Sequence, residues 1–177
     1  MKQAISYWQV AGFLFTSILG TFLHFLFGLS GQSLIAAIFS AINESIWEHM
    51  KLIYYPMLLF ALVEFQFWGK EHKDFWCIKL VGILLGLTLI PVLYYTYTGI
   101  FGVSVDLLNI TIFFLSAGVA FWVENKLFQK EKGCCLYSRV SFILICMIGV
   151  VFTLLTFFTP EIPFIKDPVT GSYGFPR

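Results

Sequence analysis

The chain contains five long, predominantly apolar stretches, each close to the roughly 20 helical residues needed to cross a hydrocarbon core. They are residues 7–28, 52–69, 76–97, 107–128 and 140–159. Their apolar residues do not alternate with polar ones, and an open sheet would leave unpaired backbone groups in lipid. The sequence therefore predicts an all-α integral membrane protein, a five-span helical bundle in which residues 1–177 form a single transmembrane domain.

The overall composition excludes a water-soluble domain. Hydrophobic residues make up 59% of the chain and charged residues 12%, against about 45–50% and about 25% in soluble proteins. A soluble fold of this size could not cover so much apolar surface, so most side chains must face lipid or each other. The net charge of +1 gives no bulk attraction to nucleic acid. We therefore expect the lipid bilayer, and no nucleic acid, as the main partner.

Residues 34–50 form a sixth segment that is too polar at one end to be a separate span. It begins apolar, ends in the charged motif NESIWEHMK (residues 43–51), and joins the second span without a turn signal. It could run straight into that span as one long helix. We favour a short re-entrant or interfacial helix that bends before the second span, because residues 34–42 are too apolar to stand in water.

The basic residues indicate the orientation of the spans, since lysine and arginine are enriched in cytoplasmic loops. With five spans, all but three of the 11 lysines and arginines fall on the face that includes the amino terminus. We therefore predict a cytoplasmic amino terminus and an extracytoplasmic carboxyl-terminal tail, residues 160–177. The charged motif then lies on the same face as the tail. The cysteines lie on the other side, toward the reducing compartment, so no disulfide is expected.

A continuous helix would divide the ionisable groups of the motif between two faces. At about 100° per residue, Glu44, Glu48 and Lys51 share one face. His49 points nearly the opposite way, but a helix break within the motif would let it swing toward the acids. His24 lies on a bundle-facing side of the first span, near its outer end, where an ionisable residue is a functional candidate.

Three interpretations of these residues remain open. In the first, a divalent metal is bound by ligands drawn from Glu44, Glu48, His24 and His49. Such ligands suit zinc, manganese or iron, and an open coordination position could activate water against a lipid headgroup or phosphoester. In the second, Glu44 and Glu48 are a catalytic acid/base pair or handle protons in a transporter. In the third, one glutamate simply pairs with Lys51 at the interface.

Other polar residues are weaker candidates. Asn43 in the motif and Asp167 and Tyr173 in the tail could contact a substrate, with the tail acting as a lid around Asp167.

Asp106 opens the fourth span and is interpreted as a helix N-cap. Glu64 and Glu124 lie near lysines at the inner ends of their spans, which is typical of interface charges.

The motif and the tail also carry a resemblance. NESIWEH and the terminal DPVTGSYGF resemble a family of small bacterial multi-pass membrane proteins known only as a domain of unknown function. The resemblance extends over the whole chain and is most specific in the patterns NESxWEH and DPVTGxYG. It implies a protein of the bacterial cell membrane in which motif and tail belong together, and it implies no activity.

Together these features predict a polar pocket on the extracytoplasmic face, built from His24, Asn43, Glu44, Glu48 and His49. The leading hypothesis is metal-dependent hydrolysis or binding of a lipid or lipid-linked substrate. One alternative is a small proton- or ion-coupled transporter subunit, which with five spans would require a homo-oligomer. Another is a non-catalytic accessory protein within a larger membrane assembly.

Overall fold

The computed structural model describes residues 2–130 and 137–175. Predictions that involve Lys132, Cys134 and Cys135 lie outside the described residues. Six α-helices follow one another: α1 (Lys2–Leu29), α2 (Leu34–Phe39), α3 (Ile46–Phe67), α4 (Phe75–Phe101), α5 (Asp106–Gln129) and α6 (Ser138–Phe157). A short 3-10 turn, Gly69–Glu71, connects α3 to α4.

Five of the helices, all except α2, are long and apolar enough to cross a membrane. The described residues contain no β-strand, so the prediction of a five-span helical membrane bundle is confirmed. The spans are close to their predicted bounds except the second, which begins at Ile46 instead of residue 52. It begins earlier because a helix N-cap forms inside the charged motif.

The helices α1, α3, α4 and α5 form a ring of four in which each packs against two neighbours. α1 contacts α3 and α5, and α4 contacts the same two helices from the other side. α6 lies outside this ring, against α4 and α3. We call the end of the ring where α1 and α4 begin the lysine-rich end, and the opposite end, where α1 and α4 finish, the cavity end.

The predicted short helix before the second span is present as α2, but it ends earlier than expected. The prediction of helix up to residue 50 is wrong between α2 and α3, where residues 40–45 are not helical. The Ser40 hydroxyl donates to the carbonyl of Ala36 at 2.6 Å, which satisfies a carbonyl at the end of α2. The chain therefore turns within the motif, before α3 begins.

The carboxyl-terminal tail folds back over the cavity end. The Phe175 N–H donates to the carbonyl of Thr156 in α6 at 3.2 Å. Its ring packs between Phe27 of α1 and Phe157 of α6, with ring centroids 5.8 Å away in both cases. Phe164 packs against Trp47 at the start of α3. The tail thus joins the ends of three helices on the face that carries the motif.

Three predictions made for other positions are wrong. Asp106 is not the N-cap of α5, because that position is Val105 and no side chain caps the helix. Glu64 and Glu124 are not interface charges, because both are fully buried within the ring. Cys77, at the lysine-rich end, is disulfide-bonded although no disulfide was expected, whereas Cys146 is free.

Candidate metal centre

A helix cap inside the motif separates its two glutamates. The backbone N–H of Ser45 donates to Asn43 Oδ1 at 3.0 Å, and Ser45 Oγ accepts from the N–H of Glu48 at 3.3 Å. These contacts satisfy backbone donors around the first turn of α3, as an N-cap residue does. Glu44 consequently precedes the helix, whereas Glu48 and His49 lie within its first turn.

The break in the chain brings His24, Glu44 and His49 together. Glu44 Oε1 lies 3.9 Å from His24 Nε2, and Glu44 Oε2 lies 3.4 Å from His49 Nε2. The two imidazole rings have centroids 5.3 Å apart. One ligand atom from each of the three residues lies within 4.8 Å of the other two, and this is the one such group among the described residues.

These separations are close to those of ligands around a single metal ion. Two ligand atoms about 2.1 Å from a zinc ion at the tetrahedral angle lie about 3.4 Å apart. The contact between His49 and one oxygen of Glu44 has this length, and the contact between His24 and the other oxygen is 3.9 Å. One ligand atom from each residue lies within 4.8 Å of the others, so a small inward movement would complete the site. Two histidines and one glutamate are also a ligand set found in catalytic zinc sites, where the fourth position is open.

The His49 ring is held in the orientation that a metal ligand needs. Its Nδ1 lies 2.9 Å from the carbonyl oxygen of Ser45. A carbonyl only accepts hydrogen bonds, so Nδ1 carries the proton and the lone pair of a neutral ring is on Nε2. Nε2 is the atom that faces Glu44. Metal-bound histidines commonly have their second nitrogen fixed in this way.

His24 reaches the group from the last two turns of α1. Its ring stands edge-on to Phe25, with centroids 5.0 Å apart. Its Nδ1 is buried and has no hydrogen-bond partner. Thr21 does not supply one, because the Thr21 hydroxyl donates to the carbonyl of Ser17 at 2.8 Å. His24 is therefore held by packing, with Nε2 directed at Glu44.

Glu48, also predicted as a ligand and catalytic acid, does not join this group. Its Oε2 lies 2.5 Å from Lys51 Nζ and accepts from the N–H of Ile42 at 3.1 Å. Lys51 Nζ also donates to the carbonyl of Ala37 at 2.9 Å and to the Thr156 hydroxyl at 3.0 Å. Both side chains are almost completely buried. Glu48 and Lys51 thus form a neutral pair that ties α3 to α2 and α6.

The predicted substrate-binding residues have mainly local roles. Asn43 Oδ1 supports the turn before α3, while its buried Nδ2 has no hydrogen-bond partner. Asp167 accepts from the N–H of Val169 at 2.8 Å and from the Thr170 hydroxyl at 2.6 Å, as a turn-forming aspartate does. Tyr173 is half-buried and pairs with Lys166 in an isolated bridge.

A cavity of about 520 Å³ opens beside the three grouped side chains. The tail covers part of it through Pro168 and Val169, the two residues that follow Asp167. The remaining polar lining comes from the beginning of α5 and the loop before it. These residues are Ser104, Asp106 and Asn109.

An apolar groove of about 230 Å³ continues from the cavity between α1 and α5. The two spaces share His24, His49 and Asn109 in their linings. Most of the other groove residues are apolar, among them Phe25 and Phe114, which are partly exposed on the outer surface of the bundle. The cavity and the groove therefore adjoin at these side chains, and the groove lies at the lipid-facing surface of two membrane-spanning helices.

The model of a family described as "Family of unknown function (DUF6512)" matches residues 1–175. The chain belongs to this family. No curated protein and no solved structure matches it.

Two polar residues of this DUF6512 protein were not singled out as parts of the site from the sequence. Asp106 is exposed and lines the cavity in the first turn of α5. Asn109 accepts a hydrogen bond from the Tyr97 hydroxyl at 2.5 Å and donates to Ser104 Oγ at 3.1 Å. Both residues lie at the start of the fourth span, at the same end of the bundle as the motif. This position in the sequence could have identified them as parts of the site.

His24, Glu44 and His49 could hold one metal ion, with part of its coordination sphere facing the cavity. The three side chains supply three ligands, and none of them is an acceptor for a lysine or arginine among the described ion pairs. Asp106 provides a second carboxylate on the cavity wall. In this DUF6512 chain, the open cavity and the lack of a lysine or arginine partner among the described ion pairs distinguish Glu44 from the neighbouring Glu48.

Proposed function

We propose that the protein is a metal-dependent membrane hydrolase that acts on a lipid or lipid-linked substrate. One observation carries this proposal: ligand atoms of His24, Glu44 and His49 lie within 4.8 Å of one another beside a cavity. Zinc fits this ligand set, since two histidines and a glutamate with an open position form catalytic zinc sites. A zinc ion there would lower the pKa of bound water and polarise the bond to be cleaved.

The roles of the protein's own residues follow from their environments. His24, Glu44 and His49 would hold the metal, and the carbonyl of Ser45 keeps the His49 ring in the tautomer that a metal ligand needs. Asp106, exposed on the cavity wall, accepts the proton released when water attacks. Asn109, which lines both the cavity and the groove, orients the polar part of the substrate. Glu48 has no catalytic role in this proposal, because Lys51 neutralises it.

The groove supports a lipid as the substrate. It lies between two membrane-spanning helices, has a largely apolar lining, and shares His24 and His49 with the cavity. An acyl chain in the groove would place the adjoining headgroup at the candidate metal centre. Amphipathic molecules gain binding free energy when apolar and polar parts contact matching surfaces, so this continuity favours a lipid over a small soluble substrate.

Metal content is the first test. Protein purified in detergent, stripped with a chelator and equilibrated with zinc should retain about one zinc ion per chain, measured by elemental analysis. The variants His24→Ala, Glu44→Gln and His49→Ala should lose it. His72→Ala is a matched control, because the third histidine of the chain lies at the lysine-rich end. Equal zinc in all four variants would reject the site, and preferential retention of manganese or iron when stripped protein is offered all three metals would correct the metal.

Hydrolysis is the second test. The zinc-loaded protein is reconstituted into vesicles of defined phospholipids, and released fatty acid or headgroup is measured by mass spectrometry. Release that requires zinc and is lost in Glu44→Gln and Asp106→Asn is expected. Stoichiometric zinc without release of product from any vesicle composition would support binding and contradict hydrolysis of these lipids.

The lysine distribution supports an extracytoplasmic cavity, because the basic residues concentrate at the opposite end. The disulfide at Cys77 is an observation against this orientation, since disulfides are rare in the cytoplasm. Fusions at the carboxyl terminus test it. Alkaline phosphatase fused there should be active, and a green fluorescent protein fused there should be dark. The reverse pattern would invert the orientation without removing the metal site.

A transporter subunit is the second candidate function. It is favoured by a buried cluster of charged side chains inside the four-helix ring, in which Lys79 contacts Glu64 and Glu124. Such clusters often mark an ion or proton pathway. Vesicles that carry a pH gradient would detect this function as proton movement with a countertransported ion. Proton movement without any hydrolysis would favour it over the hydrolase.

A further inference from the structure

A second polar cluster lies within the four-helix ring, at the lysine-rich end. Lys79 of α4 is in ion-pair contact with Glu64 of α3 and, at 2.6 Å, with Glu124 of α5. Gln9 of α1 donates from Nε2 to Glu64 Oε1 at 2.8 Å. Each helix of the ring therefore contributes one polar side chain. All four are nearly or completely buried.

The charges of this cluster do not balance. One lysine faces two carboxyl groups, so the fully ionised cluster would carry one net negative charge in the bundle interior. The Glu48–Lys51 pair in the same protein has one charge of each sign. Neither Glu48 nor Lys51 has a buried side-chain atom without a hydrogen-bond partner. A buried charge without a partner is costly, so the excess negative charge needs compensation.

The hydrogen-bond pattern shows where a donor is missing. Glu64 Oε1 accepts a hydrogen bond from Gln9, and Glu124 Oε2 accepts one from Lys79. Glu64 Oε2 is in ion-pair contact with Lys79 but has no hydrogen-bond partner. Glu124 Oε1 has none and is buried. Gln9 Oε1 is buried and equally without a partner. Three buried acceptors of the cluster therefore lack a hydrogen-bond donor. Of the two carboxylate oxygens among them, Glu64 Oε2 contacts Lys79, whereas Glu124 Oε1 has no ion-pair contact in the cluster.

The packing leaves little room for a metal cation as the missing partner. A Cβ atom placed on Gly82 of α4 would lie 2.0 Å from Glu124 Oε1. The carboxyl group thus occupies the space that a side chain would need at position 82. The rings of Phe75, Phe121 and Phe128 surround Lys79, with centroids 5.5–5.7 Å from Nζ. A proton fits where a cation with its ligand shell does not.

We propose that Glu64, Lys79, Glu124 and Gln9 form a proton-binding site that holds one proton on Glu124 Oε1. Binding adds a proton to a carboxylate and forms an O–H bond, and no other bond changes. The bound proton makes the cluster neutral and converts an unpaired acceptor into a donor. This site is independent of the candidate metal centre. Gln9 and His24 are 15 residues apart on α1, or roughly 22 Å at 1.5 Å per residue.

The cluster lies close to the lysine-rich end, which is the side from which its proton would exchange with water. Glu64 lies three residues before the end of α3, and Lys79 four residues after the start of α4. These positions are roughly 5–6 Å from the helix ends. The polar groups that the four ring helices direct into the cluster are Gln9, Glu64, Lys79 and Glu124. No described ion pair or hydrogen bond links α6 to them.

Infrared spectroscopy of the zinc-free protein in detergent tests the proposal directly. The carbonyl stretch of a protonated carboxyl group is separate from the carboxylate bands. Wild type should show this band at neutral pH. Glu124→Gln should lose it because the proton's site is gone, and Glu64→Gln should lose it because the remaining Lys79–Glu124 pair is balanced. Glu71→Gln, an exposed acid at the same end, should keep it.

Two results would overturn the proposal. One is the absence of the band in wild-type protein, a measurement that needs no variant to fold. The other is a band that persists in both Glu64→Gln and Glu124→Gln, which would place the proton elsewhere. Neither result bears on metal retention by His24, Glu44 and His49, so the two proposals fail separately.

The pH dependence of stability gives a second readout. The folded protein holds a proton that the unfolded chain releases. The unfolding midpoint of wild type should therefore fall as the pH rises through the range in which the folded protein loses this proton. Glu124→Gln should keep its midpoint over the same range. The double variant Glu64→Gln/Glu124→Gln leaves Lys79 unpaired and should lose roughly 10 °C. A wild-type midpoint that rises with pH in parallel with Glu124→Gln would contradict a bound proton.

Discussion

Glu44 and Glu48 belong to one short motif, four residues apart, yet they occupy opposite environments. The Glu44 side chain is 50% exposed and its two oxygens face two imidazole rings. The Glu48 side chain is 1% exposed and its oxygen contacts the ammonium group of Lys51. The first carboxylate is open to a ligand from the cavity. The second is already neutralised and serves to connect helices.

The difference shows that the availability of a carboxylate depends on the counter-charge beside it more than on its place in a motif. On a continuous helix, both glutamates would share the face of Lys51, and either could pair with it. The cap at Ser45 removes Glu44 from that face and leaves Glu48 with Lys51. A single helix start therefore divides one motif into a candidate metal ligand and a structural ion pair.

The largest expected effect comes from breaking the buried ion pair of Glu48 and Lys51. Lys51→Met preserves much of the side-chain volume but leaves Glu48 buried without its partner. Removing one member of a buried pair costs about 3–5 kcal/mol. We expect a loss of this size in the free energy of unfolding, measured by denaturant titration in mixed micelles.

The double variant Glu48→Gln/Lys51→Met is the control for this prediction, since it removes both charges. It should recover a large part of the lost stability, as a double-mutant cycle would show. If Lys51→Met costs less than about 1 kcal/mol, the pair behaves like an exposed surface pair and the proposed contrast is wrong.

The next largest effect is expected at Glu44 and the candidate metal centre. Zinc at 100 times its dissociation constant should raise the free energy of unfolding by about 2.7 kcal/mol, because it binds only the folded protein. His49→Ala should gain nothing, and His72→Ala should gain as much as wild type. The measurement is the unfolding titration with and without zinc. Equal stabilisation of His49→Ala would show that zinc binds at another place.

A smaller effect is expected from removing the N-cap at Ser45, which separates Glu44 from Glu48. Ser45→Ala removes the hydroxyl that accepts from the N–H of Glu48, and loss of an N-cap costs about 1 kcal/mol. Ser45→Asn should retain most of the stability, since asparagine is an equally good N-cap. Unfolding titrations of both variants test this. Equal losses in the two variants would mean that Ser45 acts through packing instead of capping.

The fold was largely predictable from the sequence because lipid imposes a simple rule on spans. Residues 107–128 were expected to span the membrane, and α5 covers Asp106–Gln129. The start of α3 was missed, although Ser45 and Glu48 form the pattern S-x-x-E that precedes an apolar run and marks a helix start. With that pattern, the break and the swing of His49 toward Glu44 would have been the favoured interpretation.

The buried cluster at the lysine-rich end was harder to predict. Lys79 and Glu124 are 45 residues apart and meet because two helices present them to the same interior. Their partnership depends on how each helix is rotated, and neither span has a strongly one-sided pattern of apolar residues. The same limit applies to the cavity, where Asp106 joins residues of α1 and α3 through tertiary packing alone.

The smallest expected effect tests whether Glu44 contributes to the stability of the metal-free protein. Glu44→Gln keeps the shape of a half-exposed side chain outside any helix, and such substitutions usually change stability by less than about 0.5 kcal/mol. In zinc-free protein its unfolding free energy should therefore match wild type, while Glu48→Gln should be clearly destabilised because it leaves Lys51 without a charged partner. A loss above about 1 kcal/mol in Glu44→Gln would show that its contacts with His24 and His49 stabilise the fold without metal. The two glutamates would then differ in degree of burial but share a structural role.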